Sequence, residues 1–376
     1  MWFVTFVIKS LLRQPARSSF TAVGIGLAVA ATVSLVGISS GFERSYLNLY
    51  ATRGVDLVVQ RSGRTQQLGN EMDERFADRI RELPGVYRTI GGLVDVVSFE
   101  EADLFVVLIN GWPPDSPVFD DLKILSGRAF DESDDEAVML GKVLAGNLGK
   151  KVGDEVDLYG RKFSVIGIFE STNIYENGSA AVPLAVLQRL TDRPHEVSGI
   201  TVHAEPGSDR ETIERLKREI EALDPGGLSV LATGEFVASI TQIRVARAMA
   251  WVTSTVAMVL GGIGVLNTMA MSVYERTREF GLLRALGWPR RRVVRTILAE
   301  SALLALTGAV LGSALGLALP KLLGHVRAMS GLIEGTVDPL VVLQGFGIAL
   351  LMGLVGAAYP AYWGASLRPI EAMQRK

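Results

Sequence analysis

Four runs without a single Asp, Glu, Lys or Arg dominate the pattern of this sequence: residues 18–42, 248–274, 301–320 and 339–367. A bilayer core of roughly 30 Å takes about 20 helical residues at about 1.5 Å rise. Each run reaches that length, and buried helices of soluble proteins seldom stay uncharged for so long. The pattern predicts transmembrane helices at 18–42, 247–274, 301–320 and 339–367. They are distributed one plus three around a long polar segment, 43–246.

That segment alternates strand and helix signals. An apolar run at 55–60 reads as a strand, 73–83 as a helix stopped by Pro84-Gly85, and 92–99 and 104–110 as strands. A second set closes the segment: a strand at 198–203, a charged amphipathic helix at 209–223 ended by Pro225-Gly226-Gly227, and a strand at 228–231. Two βαβ-type units thus bracket an insertion at about 112–194. It is rich in Gly, Asp and short β-like runs such as 155–159 and 162–169, with one short helix expected near 143–148. After Leu231 the pattern turns helical through Phe236, Ile240, Ile243 and Val245, so the second span is expected to extend outward as a stalk. In the leader, 1–17, Phe3, Phe6, Val7, Ser10 and Leu11 fall at helical spacing; a helix lying in the membrane interface and an extension of the first span both fit.

Composition sharpens this picture. The hydrophobic fraction is 48% and the mean hydropathy +0.30, too apolar for an ordinary soluble domain. The net charge of −2 conceals a segregation: residues 43–246 hold 22 basic and 34 acidic side chains, leaving 16 basic and 6 acidic elsewhere. Lys9, Arg13 and Arg17 precede the first span, a run of arginines from Arg276 to Arg295 lies between the second and third, and Arg368, Arg375 and Lys376 follow the fourth. The positive-inside rule then places both termini and the loop 275–300 in the cytoplasm, with 43–246 and the short loop 321–338 outside. The first apolar run exceeds a signal-peptide core of about 7–15 residues and reads as an uncleaved helix. With no cysteine, the outer domain is expected to rest on an ordinary core.

Catalytic chemistry is not in evidence. His195, His203 and His325 show no metal-ligand spacing, and the acidic cluster Asp131, Glu132, Asp134, Asp135 and Glu136 lacks the Gly and spacing of a calcium loop and reads as a solvated turn. No phosphate-binding loop exists: Gly141-Lys142 is followed by Val143, and Gly149-Lys150 by Lys151. No enzyme activity, resident cofactor, metal or nucleic-acid partner is expected. Asn267 is the most polar residue well inside the second span, and the absence of intramembrane carboxylates and histidines speaks against an ion-coupled transporter. Gly308, Gly312 and Gly316 form a tandem G-x-x-x-G in the third span, a site of close helix packing.

The most informative stretch is the basic loop, Tyr274-Glu-Arg-Thr-Arg-Glu-Phe-Gly-Leu-Leu-Arg-Ala-Leu-Gly287 followed by Trp288-Pro289. It predicts a short helix with Phe280, Leu283 and Leu286 on one side, ended at Gly287. Two readings of the residues stand: a helix that docks in a groove on a cytosolic partner, or a topology-fixing basic loop resting on lipid headgroups.

This run, with Ala299-Glu300-Ser301 at the start of the next span, resembles the FtsX-like permease signature, and Leu125-Ser-Gly-Arg-Ala-Phe130 with Leu148-Gly-Lys-Lys-Val-Gly-Asp-Glu-Val156 resembles the MacB-type periplasmic core domain. The resemblance implies that Glu275, Arg276, Thr277, Arg278, Glu279, Phe280, Leu283, Arg284 and Leu286 form a coupling helix against an ATPase. It also implies a separate cytosolic ABC ATPase subunit that binds the ATP, a second permease copy or homologue, contact with membrane lipids, and for some members a periplasmic adaptor and outer-membrane duct.

The expected protein is an α-helical inner-membrane protein with four transmembrane helices in a 1+3 arrangement and a large α+β extracytoplasmic domain between helices 1 and 2. It is expected to be the permease of an ABC transporter for efflux or extraction from the periplasm or outer leaflet. A membrane receptor with a ligand-binding outer domain is the alternative.

Overall fold

The structure, a computed structural model, describes residues 15–63, 70–323 and 337–366. The interfacial helix expected in the leader, His325 with residues 324–336 of the loop 321–338, and the tail 368–376 lie outside the described residues.

The first helix, α1 (Pro15–Thr52), does not stop where its uncharged run does. Charge ends a membrane-compatible stretch, not a helix: Glu43 and Arg44 are compatible with helix, and Tyr46, Leu47 and Tyr50 give the following turns an apolar face to pack against Val55, Val58, Phe236 and Val237. At about 1.5 Å per residue the helix is about 57 Å long.

The inserted unit continues with β1 (Leu57–Arg61), β2 (Met72–Asp73), α2 (Arg75–Arg81), β3 (Val86–Phe99) and β4 (Leu104–Trp112). Next come α3 (Val118–Asp121), β5 (Lys123–Gly127), β6 (Ala137–Gly141), α4 (Lys142–Leu148), β7 (Glu155–Leu158) and β8 (Arg161–Glu170). After these follow α5 (Ile174–Asn177), β9 (Ala180–Pro183), α6 (Leu184–Leu190), β10 (Glu196–Val197), β11 (Gly199–Ala204), α7 (Arg210–Glu221), β12 (Leu228–Ala232) and α8 (Thr233–Ser239).

Strand order in the main sheet is β12-β1-β11-β3-β4-β9-β6-β8-β5, with β7 paired to β8. Each of the first four strands in this order is antiparallel to its neighbour, and with α2 and α7 they form the split βαβ arrangement of ferredoxin-like folds. Their core is Leu57, Val59, Ile80, Ile200, Val202, Leu216 and Ile220. Helix α7 contributes the last two because its apolar residues share one face, and Asp209 caps its start by accepting from the Thr212 amide at 2.9 Å. A second core, around Leu93, Ile109, Leu140, Leu144, Phe163 and Leu187, fills the region beyond. Strand β3 serves both: residues 86–92 pair with β11 and residues 93–99 with β4.

The insertion is less purely β than expected. Besides α4, it carries α3, α5 and α6. These helices have four to seven residues, too short to establish a 3.6-residue period. They are placed by tertiary contacts: Val186 and Leu187 of α6 are buried, and Arg53, just past α1, clasps Glu176 of α5 through two hydrogen bonds at 2.8 and 2.9 Å and Asp121 of α3 at 3.1 Å. Burial works against the Arg53 charge, but the two carboxylates outweigh it and raise its pKa.

The helical unit is completed by α9 (Thr241–Glu275), α10 (Thr277–Ala285), α11 (Arg290–Leu323) and α12 (Pro339–Ser366). Four helices, α1, α9, α11 and α12, are long and apolar enough to cross a membrane. Helix α1 is the best covered of them, with 67% of its apolar window buried, whereas α9 has only 17% covered. The centre of the unit is Ile25, Val29 and Val33 of α1 against Leu304, Ala305 and Ala309 of α11 and Ala349 and Met352 of α12.

Candidate coupling site between the second and third membrane helices

The backbone of the basic loop is built by local rules. Helix α9 ends at Glu275, and Arg276, at φ −100° and ψ 10°, turns the chain into α10. Helix α10 closes with Gly287 in the left-handed region, φ +95°. The Gly287 amide donates to the Arg284 carbonyl and the Trp288 amide to the Leu283 carbonyl, both at 3.1 Å. This is a Schellman cap, and Trp288 and Leu283 pack against the same apolar cluster, the hydrophobic contact that accompanies such a cap. Pro289 lacks an amide proton and tolerates the position just before α11.

One side of α10 is fixed to its own unit. Thr277, Phe280 and Gly281 are buried, and Phe280 lies among Val273, Val293, Ile297, Ala361 and Ala365. One nitrogen of Arg276 donates to both carboxylate oxygens of Glu300 at 2.9 Å, its Nε donates to Glu279 at 3.2 Å, and its guanidinium lies 5.0 Å from the centre of the Phe280 ring. Arg284 donates to the carbonyl of Ala365 at 3.1 Å. Glu275 is held by two hydrogen bonds from Arg17, at 2.8 and 3.0 Å.

The nine residues singled out from the sequence therefore divide. Arg276, Thr277 and Phe280 serve the fold of the loop, Leu283 and Arg284 are half-buried against it, and Glu275, Arg278, Glu279 and Leu286 are exposed. The expected apolar side of Phe280, Leu283 and Leu286 splits: Phe280 is 2% exposed and Leu286 73%. Its exposed counterpart is Leu282, at 54%, which the sequence reading missed. The signal was present in the spacing of Arg278, Leu282 and Leu286 at four-residue intervals, one helix face. Apolarity alone does not tell which of two stripes meets the protein's own helices.

Gly308, Gly312 and Gly316 lie on α11 against α1 of the same chain. A Cβ at Gly312 would sit 2.4 Å from the Gly26 carbonyl oxygen, and one at Gly308 2.9 Å from that of Ala22. The Ser34 hydroxyl donates to the Gly316 carbonyl at 3.1 Å along the same seam. In the inserted unit, His195 meets Glu74 at 2.7 Å, and the acidic turn closes on itself, with Arg128 donating to Asp134 at 2.6 and 2.7 Å and the Ser133 amide to Asp131 at 2.9 Å. Among the described residues, no group of three His, Asp or Glu side chains is placed to hold a metal ion.

The MacB-like periplasmic core domain family matches residues 18–222, and the FtsX-like permease C-terminal family matches residues 251–368. The chain belongs to the MacB-type FtsX-like permeases. As a MacB-type ABC transporter permease, it carries an α/β domain between the first and second of its four membrane-length helices. Its relatives include the macrolide export ATP-binding/permease protein MacB of Bdellovibrio bacteriovorus, 25% identical over 97% of this chain and 60% of that protein. Another is an ABC transporter permease of Methanocaldococcus jannaschii, 24% identical over 99% of this chain and 97% of that one. The chain thus spans about three fifths of the MacB relative. Among solved structures, the periplasmic region of MacB from Actinobacillus actinomycetemcomitans aligns with 50% of this chain and 94% of its own, at 14% identity and a TM-score of 0.40.

Proposed function

We propose that this permease couples ATP hydrolysis by a separate cytosolic ATPase to movement of its inserted domain, and so exports or extracts a substrate from the periplasm or outer leaflet. The observation that carries this reading is the two-sidedness of α10. One side is fixed to α9, α11 and α12 by Phe280, Arg276–Glu300 and Arg284, and the other presents Arg278, Leu282 and Leu286 without cover from the described residues. A helix rooted in three membrane helices and exposed on one amphipathic face is suited to receive force from a partner groove. On this reading the ATP belongs to the partner, both termini and α10 lie in the cytoplasm of an inner-membrane protein, and the inserted domain lies outside.

The exposure of α9 supports a second permease copy. Val252, Val256, Val259 and Ile263 are all more than half exposed along it, so α9 is the face that a copy or homologue would cover. An adaptor and outer-membrane duct are compatible with the reading, which does not depend on them.

The test is purification of the chain from native membranes in mild detergent. Wild type is expected to bring an ABC ATPase subunit with it, and Leu282→Glu and Leu286→Glu are expected to lose that subunit while still inserting and folding. Leu283→Glu is the less clean probe, because Leu283 packs on its own helices. A well-folded wild-type preparation without any ATPase would move the assignment to a receptor.

A further inference from the structure

The start of α11 and the end of α12 border an open cavity of about 500 Å³ lined by Arg290, Arg291, Val294, Arg295, Tyr362, Ala365 and Ser366. Three arginines, all exposed, line this one cavity and concentrate positive charge there, which favours an anion. Among the described residues none of the three has a hydrogen bond or ion pair. Among the described residues, the carboxylates of the loop and of the start of α11 are already engaged: Glu300 and Glu279 by Arg276, and Glu275 by Arg17. The fourth arginine of the run, Arg292, points elsewhere, with its guanidinium 4.3 Å from the centre of the Trp288 ring.

The opposite wall continues into an exposed apolar surface. Tyr362 is 74% exposed, and Tyr359, Val355 and Leu351 continue from it at helical spacing along α12, each more than half exposed. These residues form an apolar column on a membrane-length helix, ending in tyrosines of the kind that mark the bilayer interface. The cavity therefore joins a fork-shaped set of anion donors to a surface fit for acyl chains.

The geometry points to a binding site for the phosphate of an anionic phospholipid, with the headgroup among Arg290, Arg291 and Arg295 and a chain along Leu351, Val355 and Tyr359. The column decides for a lipid over an acidic protein surface, which gains nothing from an apolar stripe running into the membrane. A lipid seated here would brace the first turn of α11, directly after the Schellman cap of α10. The site is independent of the transport reading and would exist in a receptor as well.

The test is retention of lipid by the purified full-length chain, read by native mass spectrometry after incubation with phosphatidylglycerol, phosphatidylcholine or inorganic phosphate. Wild type is expected to retain phosphatidylglycerol at least about ten-fold over phosphatidylcholine, with inorganic phosphate a weak competitor. Arg291→Gln/Arg295→Gln is expected to abolish that preference, whereas Arg161→Gln/Arg210→Gln, which removes the same charge at exposed positions of the inserted domain, keeps it. Equal retention of the two lipids by wild type overturns the proposal, and this arm needs no variant to fold. So does full displacement by inorganic phosphate, which would make the site one for a free anion. Unchanged preference in a folded double variant, or loss of a co-purifying protein in place of the lipid, overturns it too.

Discussion

Arg276 and Glu300 are 24 positions apart, yet one nitrogen of the guanidinium sits 2.9 Å from each oxygen of the carboxylate. The Glu300 side chain is 4% exposed and that of Arg276 14%. The pair joins the break between α9 and α10 to the body of α11, so the position of the loop depends on it. Truncating one partner leaves the other charge buried and unpaired, which typically costs about 3–5 kcal/mol. Glu300→Gln and Arg276→Gln are each expected to lower the unfolding midpoint in detergent, and the double substitution to be milder than the sum. Additive losses would show that the two side chains do not act as a pair.

The two faces of α10 should respond oppositely to substitution. Phe280→Ala opens a cavity in the cluster around Val293 and Ile297, at a cost of about 3–5 kcal/mol. Leu282→Ala and Leu286→Ala, at exposed positions, are expected to stay within about 0.5 kcal/mol of wild type. Thermal unfolding of the three variants in one detergent checks the ranking, and a destabilised Leu282→Ala would contradict the described orientation of the helix.

Gly312→Ala is expected to disturb the seam between α1 and α11, because its new methyl would lie 2.4 Å from the Gly26 carbonyl oxygen, which is backbone and cannot swing away. Gly264→Ala, on α9, meets nothing within 4 Å and serves as the control. Comparing yield and unfolding midpoint of the two separates close packing from the general helix preference for alanine over glycine, which favours both substitutions.

Burial lowers the pKa of His203 below the ordinary histidine value of 6.5, although the Gly54 carbonyl and Asp56 favour the charged form. Its folded state binds protons less readily than its unfolded state, so the contribution to stability is full above pH 6.5 and is lost as pH falls through the lower folded value. His203→Gln should flatten this part of the pH profile of unfolding. An imidazole titrating above 6.5 by NMR in the folded chain would reverse the sign.

Much of this fold was legible because its strongest signal is long. Uncharged runs of twenty or more residues cannot be hidden by context, and Gly287 before Trp288-Pro289 marked the end of the loop helix as it stands in the structure. The misses were of two kinds. Helices α3, α5 and α6 are too short to repeat the 3.6-residue pattern often enough to reveal it, and they depend on partners distant in sequence, as Asp121 and Glu176 depend on Arg53. Within the candidate site, Phe280 and Leu282 are equally apolar on paper. Only the positions of Val273, Val293 and Ala361 around the ring decide that Phe280 is inside and Leu282 outside.

Strand β3 runs through the inserted domain as one ladder with two customers, pairing with β11 along its first half and β4 along its second. The cores on either side of it hold different residues, yet neither can release its share of β3 without loosening the backbone of the other. Cooperative units follow shared hydrogen-bonded backbone as well as shared apolar contacts. Slow amide exchange should therefore persist without a break from Thr89 to Val97, and the two cores should melt together as a single folding unit.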